Sequence, residues 1–298
     1  MIYDIIIIGG GPAGLTAAVY AGRANKKVLI LEKGTFGGQI TSSPKVENIP
    51  GFISVTGNEF AEKLIEQAVA LEAEIECCLA ERIIPGNPHT VVTDEGEYQA
   101  KAVIIATGTE HRLLGLEREQ ELIGNGISFC AVCDGAFYED KTVAVIGGGN
   151  SALQEALLLA ETCKKVYVVQ NLDFLTGEDK LQEQISHKNN IEVIFGTVVE
   201  KLLGEKELSG ITPSGGGKTY DLAVDGMFVA IGLIPQNKAF EDVVGLDAGG
   251  YVSSGENCLT SAEGIFVAGD CRTKKIRQVA TAAADGAVAA LAACSYIG

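Results

Sequence analysis

Ile5-Ile6-Ile7-Ile8-Gly9-Gly10-Gly11-Pro12-Ala13-Gly14 decides the fold of this 298-residue chain. The four isoleucines read as a short buried strand. The glycines read as a tight turn, and residues 15–21 as the helix that the turn opens. In the pattern Gly9-x-Gly11-x-x-Gly14 each glycine has its own task. The first permits the turn, the second lets backbone N–H groups approach a diphosphate, and the third lets helix pack on strand. The anion then sits at a helix N-terminus, where free N–H groups and the helix dipole favour it.

Working outward, the same unit recurs. Val143-Ala144-Val145-Ile146 leads into Gly147-Gly148-Gly149-Asn150-Ser151-Ala152 and a second helical stretch. Each copy is followed by another β-branched strand, at 28–31 and at 166–169. Two βαβ starts predict an α/β fold with two Rossmann-like dinucleotide-binding domains. Later apolar strands also end in glycine: 102–106 before Thr107-Gly108, 227–231 before Gly232, and 264–268 before Gly269-Asp270. Such ends line the carboxyl edge of a parallel sheet, where ligands bind. The last segment is expected to return to the first domain, which makes that domain discontinuous. The expected limits are 1–112 with 241–298, around a second domain at 113–240.

Net charge is −16 with no basic stripe, so no nucleic-acid partner is expected. The apolar run at 5–8 is too short to span a bilayer. The Ala-rich stretch at 279–293 is interrupted by Asp285 and Gly286 and reads as a buried helix, so no membrane is expected. Met1-Ile2-Tyr3-Asp4 lacks the basic region of a secretory signal, and the expectation is a cytoplasmic protein.

Of eight cysteines, only Cys130 and Cys133 have C-x-x-C spacing. Such a pair closes into a reducible disulfide. Half a zinc site would need two more ligands, but Cys77-Cys78 are adjacent and the three histidines lack ligand spacing, so no metal is expected. The remaining cysteines read as reduced and buried. Glu32 ends a strand after the first glycine turn. It reads as an acceptor for a ribose 2′-hydroxyl or as a solvated strand end. Asp270 reads as a holder of a sugar-alcohol hydroxyl or as a helix cap. Gly37-Gly38-Gln39 and Asn48 offer amides to a cofactor edge or are ordinary loop residues.

The chain resembles the low-molecular-weight thioredoxin reductases over nearly its whole length. The likeness rests on Gly9–Gly14, Gly37-Gly38-Gln39-Ile40, Val46-Glu47-Asn48-Ile49-Pro50-Gly51, Ala106-Thr107-Gly108, Cys130-Ala131-Val132-Cys133-Asp134, Gly147–Ala152, the 264–270 strand end and Arg277-Gln278. The resemblance implies FAD in the first domain and a homodimer that reduces thioredoxin. It puts Gly9, Gly11, Pro12, Ala13, Gly14, Glu32 and Lys33 at the adenosine and diphosphate. Gly38, Gln39, Ile40, Asn48, Thr107, Gly108, Gly269, Asp270, Arg277, Gln278 and Val279 complete the cofactor set, with Asp270 on the ribityl chain. It also makes Cys130 the interchange thiol, Cys133 the flavin-facing thiol and Asp134 the proton carrier.

The second glycine turn departs from that pattern. A reader should stand after the strand at 166–169, an acid for NAD or an Arg for NADP. The chain has Gln170-Asn171-Leu172-Asp173-Phe174-Leu175-Thr176, without the His-Arg-Arg…Arg of NADPH-dependent members. In this it is similar to the ferredoxin-dependent flavin thioredoxin reductases, which implies ferredoxin as donor. The best basic docking cluster in sequence is Arg272, Lys274, Lys275 and Arg277. The alternatives are an NAD(P)H-dependent reductase with an atypical reader loop, a related flavin disulfide reductase with another donor, and a non-enzymatic flavin sensor.

Overall fold

The computed structural model describes residues 1–43 and 46–298. It divides into two units, Met1–Glu110 with Ile234–Gly298, and His111–Leu233. The return crossing therefore falls at 233/234 rather than 240/241. Packing explains the difference. Asn237 is fully buried and donates to the carbonyls of Gly250 and Cys271, and Phe240 is buried in a core with Ile83, Val244 and Val252.

The first unit is built on a seven-stranded sheet. Ile2–Ile8 lies between Val28–Glu32 and Gly96–Ile105, parallel to both, with Ile5 opposite Val28 on one side and Ala102 on the other. Ile265–Val267 joins the far side of Gly96–Ile105, also parallel. His89–Thr93 and Ala80–Ile84 extend the sheet antiparallel. Central strands covered on both faces bury continuous apolar runs, and Ile5, Ile6 and Ile7 are fully buried.

The helix Pro12–Arg23 opens at the glycine turn, with Pro12 in its first turn where a missing N–H costs nothing. The helix Val279–Ile297 packs on it. A Cβ on Gly286 would lie 2.1 Å from the carbonyl oxygen of Ala13, so backbone meets backbone there. Among the described residues this is the one helix long and apolar enough to cross a membrane. One face is core: Ala282, Asp285, Gly286, Ala289, Ala290 and Ala293 are buried. The opposite face exposes Ala280, Ala284, Val288 and Leu291, so the sequence expectation of a buried helix holds for only one side.

The second unit carries a five-stranded sheet. Thr142–Ile146 is central and parallel to Lys165–Val169 and Gly226–Val229. Ile127–Ser128 closes one edge beside Gly226–Val229, and Ile191–Ile194 the other. The helix Asn150–Leu159 starts at the second glycine turn.

Candidate active site

The first glycine turn is shaped by two separate demands. Gly9 has φ +113°, and a Cβ there would lie 2.3 Å from the oxygen of Ala106. A Cβ on Gly14 would lie 1.9 Å from the oxygen of Gly9. Chain packing alone fixes both as glycine. Gly11 differs, because its Cβ would meet nothing nearer than 3.9 Å. The fold does not need glycine there, whereas a diphosphate approaching the backbone does.

Glu32 accepts the Gly10 N–H at 2.7 Å with one carboxylate oxygen and the Gly34 N–H at 2.8 Å with the other. Its remaining lone pairs suit ribose hydroxyls. Sequence reasoning did not see that Glu32 also ties the glycine turn to the loop after its own strand. Lys33 instead pairs with Glu110 at 2.8 Å.

Asp270 lies in the short 3₁₀ turn Gly269–Cys271. Its Oδ1 is buried without a hydrogen-bond partner among the described residues, and the Lys274 ammonium stands 3.9 Å away. Burial is the main cause that lifts this carboxyl to about 6. An acceptor without a donor fits the hydroxyls of a ribityl chain. Nearby, the Asn48 amide donates to Gln278 Oε1 at 3.1 Å, and Arg277 lies over the Tyr251 ring at 4.3 Å while donating to the Asp270 carbonyl. Thr107 donates to Asn237 at 3.0 Å and Gly108 follows at φ +64°. Gln39 and Ile40 sit in the 3₁₀ turn Gly38–Ser42, and Val279 begins the last helix. The first unit thus fits FAD by its open Gly11 face, its Glu32 carboxylate and its donor-less Asp270 oxygen.

Two of the four basic residues expected to form a docking patch, Arg272 and Lys274, face inward. Arg272 is 3% exposed and forms a two-bond ion pair with Asp285 at 2.9 and 2.7 Å. Lys274 also reaches Asp285 at 2.9 Å, and the Gly269 N–H adds a fourth donor at 3.0 Å. A buried carboxylate needs such partners, and it takes these two cations out of solvent. Asp285, which the sequence marked only as a break in an apolar run, anchors the turn that carries Asp270.

In the second unit Cys130 and Cys133 form a disulfide, with Cα atoms 5.3 Å apart. Cys130 caps the one-turn helix Ala131–Asp134, and its Sγ accepts the Cys133 N–H at 3.2 Å. Val132 between them is 62% exposed, and both cysteines are half-buried. Ser128 donates to Asp134 Oδ2 at 2.6 Å and accepts the Cys130 N–H at 3.1 Å. Asp134 Oδ1 is buried without a hydrogen-bond partner among the described residues, and burial pushes the carboxyl above its ordinary range against the Ser128 bond. Phe129 stacks on His111 at 4.2 Å, and burial holds that imidazole near 4, hence neutral. Neither Ser128 nor His111 carries a motif that the sequence reading could have used.

The second glycine turn borders a cleft of about 660 Å³, lined by Gly147–Ser151, Asn171, Leu172, Val198 and Arg112. A Cβ on Gly149 would meet nothing nearer than 3.7 Å. Gln170, at the reader position, is 4% exposed. Its amide donates to the Phe174 carbonyl at 3.1 Å and accepts the Asn171 N–H at 3.2 Å. That side chain holds its own loop together.

A family model described as pyridine nucleotide-disulphide oxidoreductase matches residues 3–286. The chain is 40% identical to a thioredoxin reductase of Listeria monocytogenes, over 99% of this chain and 94% of that one. It is 39% identical to a thioredoxin reductase of Bacillus subtilis, over 99% and 95%. The crystal structure of thioredoxin reductase from Streptococcus pyogenes superposes with TM-score 0.95 at 37% identity, covering 99% and 98%. The open glycine turn, the donor-less Asp270 oxygen and the C-x-x-C disulfide agree with these matches, and the chain belongs to the pyridine nucleotide-disulphide oxidoreductase family as a flavoprotein of the thioredoxin reductase type, whose cofactor is FAD.

Proposed function

We propose that this protein reduces the disulfide of thioredoxin with electrons that reach its flavin from ferredoxin rather than from NADPH. The loop Gln170–Thr176 carries the donor half of this reading. It contains no Lys or Arg, and Gln170 is engaged within it. A 2′-phosphate bears about two negative charges and is held best by Arg. FAD, when bound, supplies a carrier that takes electrons singly or in pairs and passes a pair to a disulfide.

The chain's own residues supply the rest. In the reduced pair the Cys130 thiolate attacks one sulfur of the thioredoxin disulfide. Cys133 then attacks Cys130 in the mixed disulfide and releases the second thiolate. Asp134 donates a proton to a leaving thiolate, a role supported by its burial and its raised affinity for protons. Gly9, Gly11, Gly14, Glu32, Asn48, Asp270 and Gln278 hold FAD. The working form in this reading is a cytoplasmic homodimer, supported by the exposed apolar face of Val279–Ile297.

A second reading, an NAD(P)H-dependent reductase, is favoured by the cleft at Gly149. Glycine is not forced there by the fold, and the named relatives are thioredoxin reductases without the ferredoxin label. Anaerobic stopped-flow bleaching of the flavin absorbance separates the two readings. Fast bleaching by reduced ferredoxin with none by NADPH or NADH is expected. Fast bleaching by either nucleotide would replace the first reading with the second.

A further inference from the structure

The proton that serves disulfide exchange has a defined seat in this site. The Cys130 N–H is a backbone group and only donates, so Ser128 Oγ accepts at that contact, 3.1 Å away. The same hydroxyl donates its one proton to Asp134 Oδ2, 2.6 Å away. An oxygen that already accepts this short bond does not carry the acid proton, which falls to the partnerless Oδ1. Ser128 is 5% exposed and lies on the edge strand Ile127–Ser128, held opposite Phe228, so this polarity is built into the sheet.

We propose that Ser128 is a positioning residue of the thiol–disulfide exchange: it seats the exchangeable proton on Asp134 Oδ1 and stabilises the carboxylate left when that proton departs. The inference rests on the reading of Asp134 as the proton donor. In the step, two electrons of the Cys130–Cys133 dithiol pass to the substrate disulfide. The substrate S–S bond breaks and the Cys130–Cys133 bond forms. The Oδ1 proton goes to one leaving thiolate, giving a thiol and an Asp134 carboxylate, and the proton that Cys133 loses as it attacks goes to the other leaving thiolate. The Ser128 bond to Oδ2 becomes charge-assisted at that moment, which makes Asp134 the better acid.

Other ionisable groups lie around Asp134. Tyr138 follows on the next turn, its phenol pushed to about 12 by burial first and then by carboxylates including Asp134. Glu155 lies on Asn150–Leu159, the helix packed against Ala131–Asp134, and burial lifts it to about 8. The two cysteine thiols titrate in the reduced state. Glu155→Gln is therefore carried as a background that removes one titration from the profile.

The test uses the full-length holoenzyme, reduced with dithionite and mixed with oxidised thioredoxin in single turnover across pH, so the physiological donor plays no part. The wild-type rate falls as pH rises through the Asp134 titration. Ser128→Ala is expected to move that midpoint up by about one pH unit, the effect of one lost charge-assisted bond. Ser128→Thr, which restores the hydroxyl, returns it. In Asp134→Asn the midpoint vanishes and Ser128→Ala adds nothing. Retention of the wild-type midpoint in Asp134→Asn would overturn the reading of Asp134 itself. An unmoved midpoint in Ser128→Ala, or a shift that persists with Asp134→Asn, would overturn the role of Ser128 alone. Flavin absorbance of each variant reports that the fold is intact.

Discussion

Gly11 and Gly14 stand in one turn but are glycine for different reasons. A methyl on Gly14 would strike the Gly9 carbonyl, which is backbone and cannot move aside as a side-chain tip would. Gly14→Ala is therefore expected to destabilise the protein by about 2–3 kcal/mol in denaturant unfolding. At Gly11, with φ −80°, a methyl has room within the protein. Gly11→Ala is expected to leave the stability of flavin-stripped protein within about 0.5 kcal/mol. Its FAD affinity should fall at least about tenfold, read by flavin retained on ultrafiltration. Equal losses of stability in the two variants would mean that Gly11 answers to the fold and not to a ligand. Asp270 extends the same logic. Its Oδ1 has no hydrogen-bond donor among the described residues, so, if it holds the cofactor as proposed, Asp270→Ala removes a hydrogen bond made by FAD. A bond to a charged group is worth about 1.5–3 kcal/mol, or roughly ten- to a hundredfold in FAD affinity. Unchanged FAD retention would place the ribityl chain elsewhere.

At the level of elements, the helix Asn150–Leu159 carries a cost that its sequence hides. Glu155 has a buried Oε2 without a hydrogen-bond partner among the described residues, and burial lifts its carboxyl from 4.5 to about 8. A raised folded-state value means that the native protein binds this proton more tightly than the unfolded chain. The associated stability is full below the ordinary glutamate range and is lost as pH rises through about 8. Glu155→Gln removes that dependence. It should match wild type near pH 5 and exceed it by about 1–3 kcal/mol near pH 8.5 in urea unfolding. A constant difference across pH would show that Glu155 is already solvated. The elements themselves were legible: each strand–glycine–helix unit announced itself through a period change and a turn. What the helices pack against was not. In the helix Val279–Ile297 the sequence marks Asp285 only as a break in an apolar run, yet it is the working residue, and its partners Arg272 and Lys274 come from the preceding turn. Likewise the return crossing precedes the polar stretch that suggested it, because Asn237 satisfies buried carbonyls that no pattern reveals.

For the whole molecule, charge decides how a donor arrives. The net charge is −16, and two of the four basic residues that sequence offered as a docking patch are buried against Asp285. Lys275 remains exposed, and Arg277 lies over Tyr251. The sequence could count these charges but not their directions, because the pairing depends on a helix that begins after them. The acidic iron–sulfur donor of the proposed reading would therefore meet a repulsive field over most of the surface. Salt shortens the reach of that field from about 30 Å at 0.01 M to about 10 Å at 0.1 M. The second-order rate of flavin reduction by such a donor should rise about two- to fivefold across that range. Lys275→Glu should change it little. A rate that falls with salt would mean that a basic surface outside the Arg272–Arg277 cluster draws the donor in, and scanning the exposed lysines for the variant that flattens the salt dependence would find it.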